Sequence, residues 1–128
     1  MNENQRITYD DFAKVEIKAG KILSAEKIPD TDKLLKLSVD FAEAAPRQIV
    51  SGIAMYFPDP AALVGRTAMF VTNLEPRAIR GYESNGMLFA VSTPAPVQAG
   101  TDGVIAGVAG AFSLLEPGPG IPPGTRAK

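Results

Sequence analysis

The stretch KVEIKAGKILSAEKI, residues 14–28, decides the fold. Charged residues at positions 14, 16 and 18 alternate with apolar residues at 15, 17 and 19, which is the period of a half-buried β-strand. Gly20 interrupts the alternation, and Ile22 and Leu23 beyond it are both apolar. An interior glycine with a change of phase predicts a bulge or a sharp bend. One long strand that bends to serve two sheets is typical of a small closed barrel.

Four further segments have the alternating or β-branched composition of strands. They are LLKLSVD (34–40), RQIVSGI (47–53), RTAMFVTNL (66–74) and GMLFAV (86–91). Short helical segments are predicted at TYDDFA (8–13), which Thr8 caps, and at PDPAALVG (58–65). Five short strands separated by turns, with little helix, predict an all-β barrel.

Composition excludes several classes of function. The chain of 128 residues fits one domain, and it contains no cysteine and no histidine. A disulfide framework, a thiolate metal site and a Ser-His-Asp triad are therefore impossible in this sequence. No apolar run reaches the roughly 18 residues of a membrane span, and the polar start MNENQRITYDDF lacks an apolar signal core. We expect a cytoplasmic protein.

The acidic residues form no convincing catalytic constellation. Asp30 and Asp32 flank Thr31 in a loop, where they either hold a cation or are simply solvated; we favour the solvated loop. We therefore predict no catalytic residue, no metal ligand and no cofactor. Net charge is −1, but ten of the thirteen basic residues lie between Lys14 and Arg80, so a local basic face is compatible with the acidic total.

Binding chemistry is concentrated between two apolar strands, in the polar segment 73–87. Arg77 and Arg80 suit bidentate contacts to phosphate. Ser84 and Asn85 suit hydrogen bonds to base edges or to a ribose hydroxyl, and Met87 suits an apolar contact to a base. The alternative is a surface turn built on the Asn-Gly dipeptide, with the arginines solvated and the methionine in the core.

Five motifs taken together carry a family resemblance. They are VEIKAGKI, KIPDTDKLLKLSVD, RQIVSGIA, NLEPRAIRGYES and SNGMLFA. In this order and spacing they resemble the tRNA-binding domain at the C-terminus of bacterial methionyl-tRNA synthetases, which also occurs in free-standing tRNA-binding proteins and in endothelial-monocyte-activating polypeptide II. The resemblance implies a five-stranded OB-fold barrel that binds structured RNA, here with a short helix and a C-terminal extension.

The resemblance also implies a tRNA-contacting face. Its members here are Lys33, Arg47, Asn73, Arg77, Arg80, Ser84, Asn85 and Met87. Lysine and arginine would contact phosphates, and the serine-to-methionine loop would read local RNA shape. The sequence departs from the family where Ala78 replaces a frequent basic residue and where Asp30-Thr31 replaces an Asn-Ala pair. Both departures reduce the positive charge, and so we expect weaker binding than in family members that keep it.

Three regions are expected: an N-terminal arm at 1–13, the barrel at 14–92 and an extension at 93–128 that packs on the barrel. Free-standing members of the family are homodimers joined through the region after the barrel. The apolar segment from Val104 to Leu115 is free of lysine and arginine, and we predict that it forms a dimer interface. The alternative is that it caps its own barrel.

The predicted function is non-catalytic tRNA binding. The protein would act free-standing as a homodimer, or in trans as the auxiliary (beta) subunit of a methionyl-tRNA synthetase that supplies any ligase activity. The competing prediction is a polypeptide-binding chaperone similar to CsaA, in which apolar surface would matter more than the arginines.

Overall fold

The long first strand organises the structure. The computed structural model describes residues 5–93 and 111–128. In chain order its elements are helix α1 (Tyr9–Ala13), β1 (Ile17–Lys27), β2 (Leu35–Asp40), β3 (Arg47–Ser51), 3₁₀ turns at Ala54–Tyr56 and Pro60–Leu63, β4 (Thr67–Val71), β5 (Arg77–Ile79), β6 (Tyr82–Ser84), β7 (Met87–Leu88), β8 (Ala90–Ser92) and β9 (Phe112–Leu114). Thr8 caps α1 as predicted, because its hydroxyl accepts the Asp11 N–H at 3.0 Å.

Strand β1 pairs with two partners. Residues 17–21 pair antiparallel with β4, and residues 21–27 pair antiparallel with β2. The five-stranded sheet has the order β3-β2-β1-β4-β7. The pairing register along β1 shifts between Ile22 and Ser24. The sequence predicts the irregularity at Gly20, so the observed one lies a few residues further along the strand. Gly20 serves packing instead, since a Cβ there would lie 2.5 Å from the ring of Phe41 and 2.6 Å from Val39.

The sheet curls until β3 meets the segment before β7. The N–H of Asn85 donates to the carbonyl of Gln48 at 2.8 Å, and the N–H of Val50 donates to the hydroxyl of Ser84 at 2.9 Å. The interior is filled by apolar side chains that are fully buried: Ile22, Leu35, Leu37, Val39, Ile49, Leu63 and Phe70. The predicted five-stranded all-β barrel with a short helix is thereby confirmed.

The polar segment between β4 and β7, for which the sequence predicts a loop, contains a β-hairpin. Strands β5 and β6 pair antiparallel, with Arg77 opposite Ser84 and Ile79 opposite Tyr82. The connecting residues Arg80 and Gly81 both have positive φ, at 53° and 84°, as a two-residue type I′ turn requires. Sequence patterns miss this hairpin because each strand has three residues and an Arg-Gly turn lacks the usual asparagine or aspartate signal.

The described C-terminal residues lie against the barrel. The N–H of Ala19 donates to the carbonyl of Thr125 at 2.8 Å, and Ala127 donates to Ile17 at 2.8 Å, so the tail lies beside the first half of β1. Strand β9 pairs with β8. Of the predicted dimer segment, residues 104–110 lie outside the described part of the chain. Within 5–93 and 111–128, no helix is both long and apolar enough to cross a membrane.

Candidate nucleic-acid interface

The eight predicted site residues divide into an exposed set and a set already bonded within the barrel. The exposed set comprises Lys33, Arg77, Arg80 and Met87; Asn73 is also exposed, but its side chain is hydrogen-bonded. The bonded set comprises Arg47, Asn73, Ser84 and Asn85, the last through its backbone. The two sets offer different chemistry to a ligand, because Lys33, Arg77 and Arg80 make no salt bridge within the described residues, whereas the Arg47 guanidinium is paired with Glu43.

Arg47 is held on three sides. Its Nε and Nη2 donate to the two carboxylate oxygens of Glu43 at 2.9 and 2.7 Å, and its Nη1 donates to the carbonyl of Thr72 at 2.6 Å. The guanidinium also lies 5.3 Å from the ring centre of Phe41. This bidentate pairing lowers the pKa of Glu43 and raises that of Arg47, chiefly through the hydrogen bonds between them. The observed role of Arg47 is to tie the start of β3 to the end of β4.

Asn73 performs a similar task at the end of β4. Its side-chain oxygen accepts the N–H of Glu16 at 2.8 Å, and its amide donates to the carbonyl of Lys14. The neighbouring Thr72 hydroxyl donates to the Glu16 carboxylate at 2.6 Å, which is the main reason that the pKa of Glu16 is lowered. Asn73 therefore fixes the residues that lead into β1, and both ends of its amide are already used.

Ser84 is a buried part of the barrel seam. The residue is only 5% exposed. Its hydroxyl accepts a hydrogen bond from the N–H of Val50 and donates one to the carbonyl of Gly86 at 3.2 Å. The hydroxyl thus replaces the backbone carbonyl that would normally accept this N–H in a β-ladder. The sequence predicts only a ligand contact for Ser84, which stays a prediction, whereas the structure shows contacts within the barrel.

The orientation of the hairpin determines which charges share one end of the barrel. Ser84 contacts Val50, and the next residue, Asn85, contacts Gln48. The hairpin therefore runs antiparallel to β3, and its turn at Arg80 lies towards the last residue of β3.

Lys33 belongs to the same end of the barrel as that turn. Its carbonyl accepts the N–H of Ala54, just after β3, at 3.0 Å, and Leu35 two residues on is paired with Ser51, the last residue of β3. Arg47 begins β3, so it and Asn73 lie at the opposite end. The topology thus brings Lys33 and Arg80 towards one another and separates them from the bonded pair.

Two features near the hairpin were not predicted. The Nζ of Lys36 lies 5.2 Å from the ring centre of Tyr82, and the Gln48 amide donates to the carbonyl of Glu83 at 3.0 Å. The polar positions of the alternating LLKLSVD pattern indicate that Lys36 faces outward, but the sequence does not show which residue covers it. The sequence signal available for Tyr82 is its position as an aromatic residue that follows two arginines and precedes Ser84.

The acidic loop shows the geometry of a turn. Asp30 has a φ of 65°, and the Thr31 hydroxyl donates to the carbonyl of Ile28 at 2.9 Å. Across the described ranges, no group of three or more acidic residues is placed to hold a metal ion. The solvated reading of the loop stays a prediction.

Comparison with known proteins identifies the class of this fold and surface. A five-stranded barrel with exposed arginines on a hairpin has the form of a nucleic-acid-binding domain. A family described as "Putative tRNA binding domain" matches residues 17–125. The chain belongs to this tRNA-binding domain family, as the sequence resemblance implied, and the family describes a binding domain and not a catalytic one.

Similar curated proteins include methionine–tRNA ligases. The enzyme from Myxococcus xanthus is 50% identical over 122 residues, which is 95% of this chain and 15% of the ligase. That from Enterococcus faecalis is 44% identical over 92 residues, 72% of this chain and 14% of the ligase. This chain therefore spans only a small part of the ligases that it matches.

Solved structures show the same fold over nearly the whole chain. A MetRS-related protein from Pyrococcus horikoshii has a TM-score of 0.78 and 35% identity, and the match covers 97% of this chain and 99% of that one. The chaperone CsaA from Bacillus anthracis has a TM-score of 0.70 at 22% identity, covering 97% and 100%. At that identity the second likeness concerns the fold alone.

Proposed function

We propose that this protein binds tRNA without catalysing a reaction on it. The observation that carries the proposal is the family match over residues 17–125 together with the hairpin that holds Arg77 and Arg80 exposed. The rigid barrel positions these guanidinium groups, and Lys33 adds a third cation at the end of the barrel towards which the Arg80 turn lies. Guanidinium forks bind phosphate oxygens in pairs, so this end would anchor the RNA backbone.

The bonded residues would act by positioning. Arg47, Asn73 and Ser84 hold the strands that carry the exposed cations, and their direct contact with tRNA stays a prediction. The bond of Asn85 to Gln48 uses only its backbone N–H, and Met87, two residues further on, is 46% exposed. These two remain available for contact with a base or ribose, as the sequence predicts.

The test is a mobility-shift titration of the full chain with bulk tRNA at several salt concentrations, beside duplex DNA. Replacement of both Arg77 and Arg80 by alanine should weaken binding and reduce the slope of log affinity against log salt by about 1.4 to 1.8, because two phosphate contacts are lost. The matched control replaces Arg6 and Lys128, two exposed cations away from the hairpin, and should leave the slope unchanged. Wild-type affinity that does not vary with salt would refute the proposal.

We also propose that the protein acts in trans with a methionyl-tRNA synthetase. Support comes from the curated relatives, in which the matching region is a minor part of a methionine–tRNA ligase. A free-standing copy of that region would raise the local concentration of tRNA around an enzyme lacking it. Affinity purification of the tagged chain should recover such a synthetase; recovery of tRNA alone would favour independent action.

Homodimerisation through the extension is part of the same proposal. At the junction of β8 and β9, Val91 is 52% exposed, and an open apolar cavity of about 210 Å³ is lined by residues that include Thr93, Ala111 and Phe112. A second copy would bury this surface and place two basic ends on one RNA. Analytical ultracentrifugation should give twice the monomer mass, and Val91→Asp should lower it; a monomer at micromolar concentration would exclude the dimer.

A second candidate function is binding of polypeptides. The observation in its favour is an apolar groove of about 400 Å³ between α1 and the C-terminal residues, lined in part by Tyr9, Phe12, Val15 and Ile17. Helix α1 buries none of its side chains, and Tyr9 is 80% exposed. A competition between bulk tRNA and unfolded polypeptide discriminates the two functions. Retention of polypeptide that depends on Tyr9 and not on Arg80 would favour this candidate.

A further inference from the structure

Tyr82 occupies an unusual place on the outer face of the sheet. It lies on β6 between the hairpin turn and the buried Ser84, and its half-buried ring approaches Lys36 of β2 across β3. Lys36 is also paired with the Glu26 carboxylate at 3.3 Å. The ring and the ammonium group are thus both held on strands of the barrel.

An open pocket adjoins Lys36 on the same face. It has a volume of about 380 Å³, and its lining includes the hydroxyls of Ser24 and Ser38 and the amide of Gln48. The Gln48 nitrogen is used by the carbonyl of Glu83, which leaves its side-chain oxygen to accept a hydrogen bond. A pocket at the lower end of the usual range for small ligands, with several polar groups at its walls, suits a group of about the size of one nucleobase.

The charges around the pocket favour a neutral group over a phosphate. Glu26 lies in its wall, and the exposed Glu83 follows Tyr82 on the hairpin. These carboxylates would repel a phosphate, whereas they accept hydrogen bonds from the amino groups of a base. RNA is read by proteins chiefly where bases are unpaired, and such bases stack on aromatic rings.

We propose that Tyr82, Lys36 and this pocket form a subsite for one unpaired base of the bound RNA. The subsite rests on the proposed tRNA binding and adds a contact that is not electrostatic. The cations at the hairpin would hold the backbone, and a base splayed from it would stack against the Tyr82 ring beside Lys36. Serine hydroxyls and the Gln48 oxygen would then meet its edge.

Two other tyrosines provide a comparison. The ring of Tyr56 is already stacked on Phe112, with centres 4.2 Å apart. Tyr9 is exposed on α1, remote in the topology from the hairpin and its arginines. Tyr9→Leu is therefore the matched control for Tyr82→Leu, since both remove an aromatic ring of the same size.

The experiment measures bulk-tRNA affinity of the full-length chain at four salt concentrations. Tyr82→Leu should lower affinity about tenfold at every concentration, because one stacked base is lost, while the salt slope stays that of the wild type. Tyr82→Phe and Tyr9→Leu should bind as the wild type does. Equal affinity for Tyr82→Leu and the wild type would overturn the subsite and leave the proposed function standing. Failure of the wild type to bind tRNA would overturn both.

A measurement on the unaltered protein guards against misfolding of the variant. Transcribed tRNA carrying 4-thiouridine is irradiated in complex with the wild type, and the attached peptide is identified by mass spectrometry. The subsite predicts attachment in the segment that contains Tyr82 or in β2 around Lys36. Attachment confined to α1 or to the C-terminal residues would contradict it.

Discussion

Replacement of Ser84 by alanine separates an internal role from a ligand contact. The hydroxyl accepts the N–H of Val50 at 2.9 Å and donates to the carbonyl of Gly86, and the residue is 5% exposed. Alanine preserves the backbone and leaves the N–H of a residue that is only 7% exposed without its acceptor. An unsatisfied buried donor costs about 1–3 kcal/mol of unfolding free energy.

This cost is large enough to measure by thermal unfolding. At about 4 °C per kcal/mol for a domain of this size, the midpoint should fall by about 4–12 °C. The loss follows from opening the seam between β3 and the hairpin, so it should appear with or without RNA. Ser92→Ala is the control: it removes an exposed strand hydroxyl, and its effect should stay within about 0.5 kcal/mol.

Binding measured well below the midpoint completes the test. If the hydroxyl acts only within the barrel, Ser84→Ala should bind tRNA with nearly wild-type affinity at 10 °C, where the variant is folded. An unchanged midpoint together with a large loss of affinity would refute the structural reasoning and support direct contact with RNA. Loss of both would show that the seam positions the hairpin for binding.

Three further perturbations probe the frame of the site. Gly86→Ala should destabilise strongly, because φ is 140° and a Cβ would lie 2.9 Å from Ile49; Gly118→Ala, which meets nothing within 4 Å, should be nearly neutral in the same denaturant titration. The lowered pKa of Glu43 means that its carboxylate stabilises the fold above pH 4.5 and that this contribution disappears as pH falls through the folded-state pKa. The difference in midpoint between wild type and Glu43→Gln should therefore be greatest near neutral pH and vanish in acid; a constant difference would contradict the pairing. Asn73→Ala should lower stability by about 1 kcal/mol through two lost backbone contacts, as chemical denaturation would show.

The strands of the barrel could be predicted because their signals are local. Alternation in β2 and the continuous apolar run of β4 report burial directly, since the side-chain period of a strand matches the pattern in the sequence. Strands β5 and β6 were not predicted, because each is too short to show the two-residue alternation of apolar and polar side chains. The turn between them requires positive φ at Arg80 and Gly81, and an arginine in the sequence does not indicate positive φ.

The candidate site was predictable in its residue types and less so in their roles. Arg77 and Arg80 are exposed, and their contact with RNA stays a prediction. Arg47 is different, because a carboxylate four residues earlier takes its guanidinium in a bidentate pair. Whether a basic residue is available to a ligand depends on its neighbours in space, and residues far apart in sequence, such as Thr72 beside Arg47, supply them.

The amino-acid sequence by itself determined the family, the all-β class and the lack of cysteine and histidine chemistry. Those properties depend on composition, on a two-residue alternation of side chains and on the order of the motifs, all of which can be read directly from the sequence. Only the tertiary structure decided which polar groups are hydrogen-bonded within the barrel and which stay exposed. Closure of the sheet puts Ser84 into the seam, places the Arg80 turn at the same end of the barrel as Lys33 and lays Tyr82 against Lys36, because these contacts join residues from strands that are far apart in the sequence.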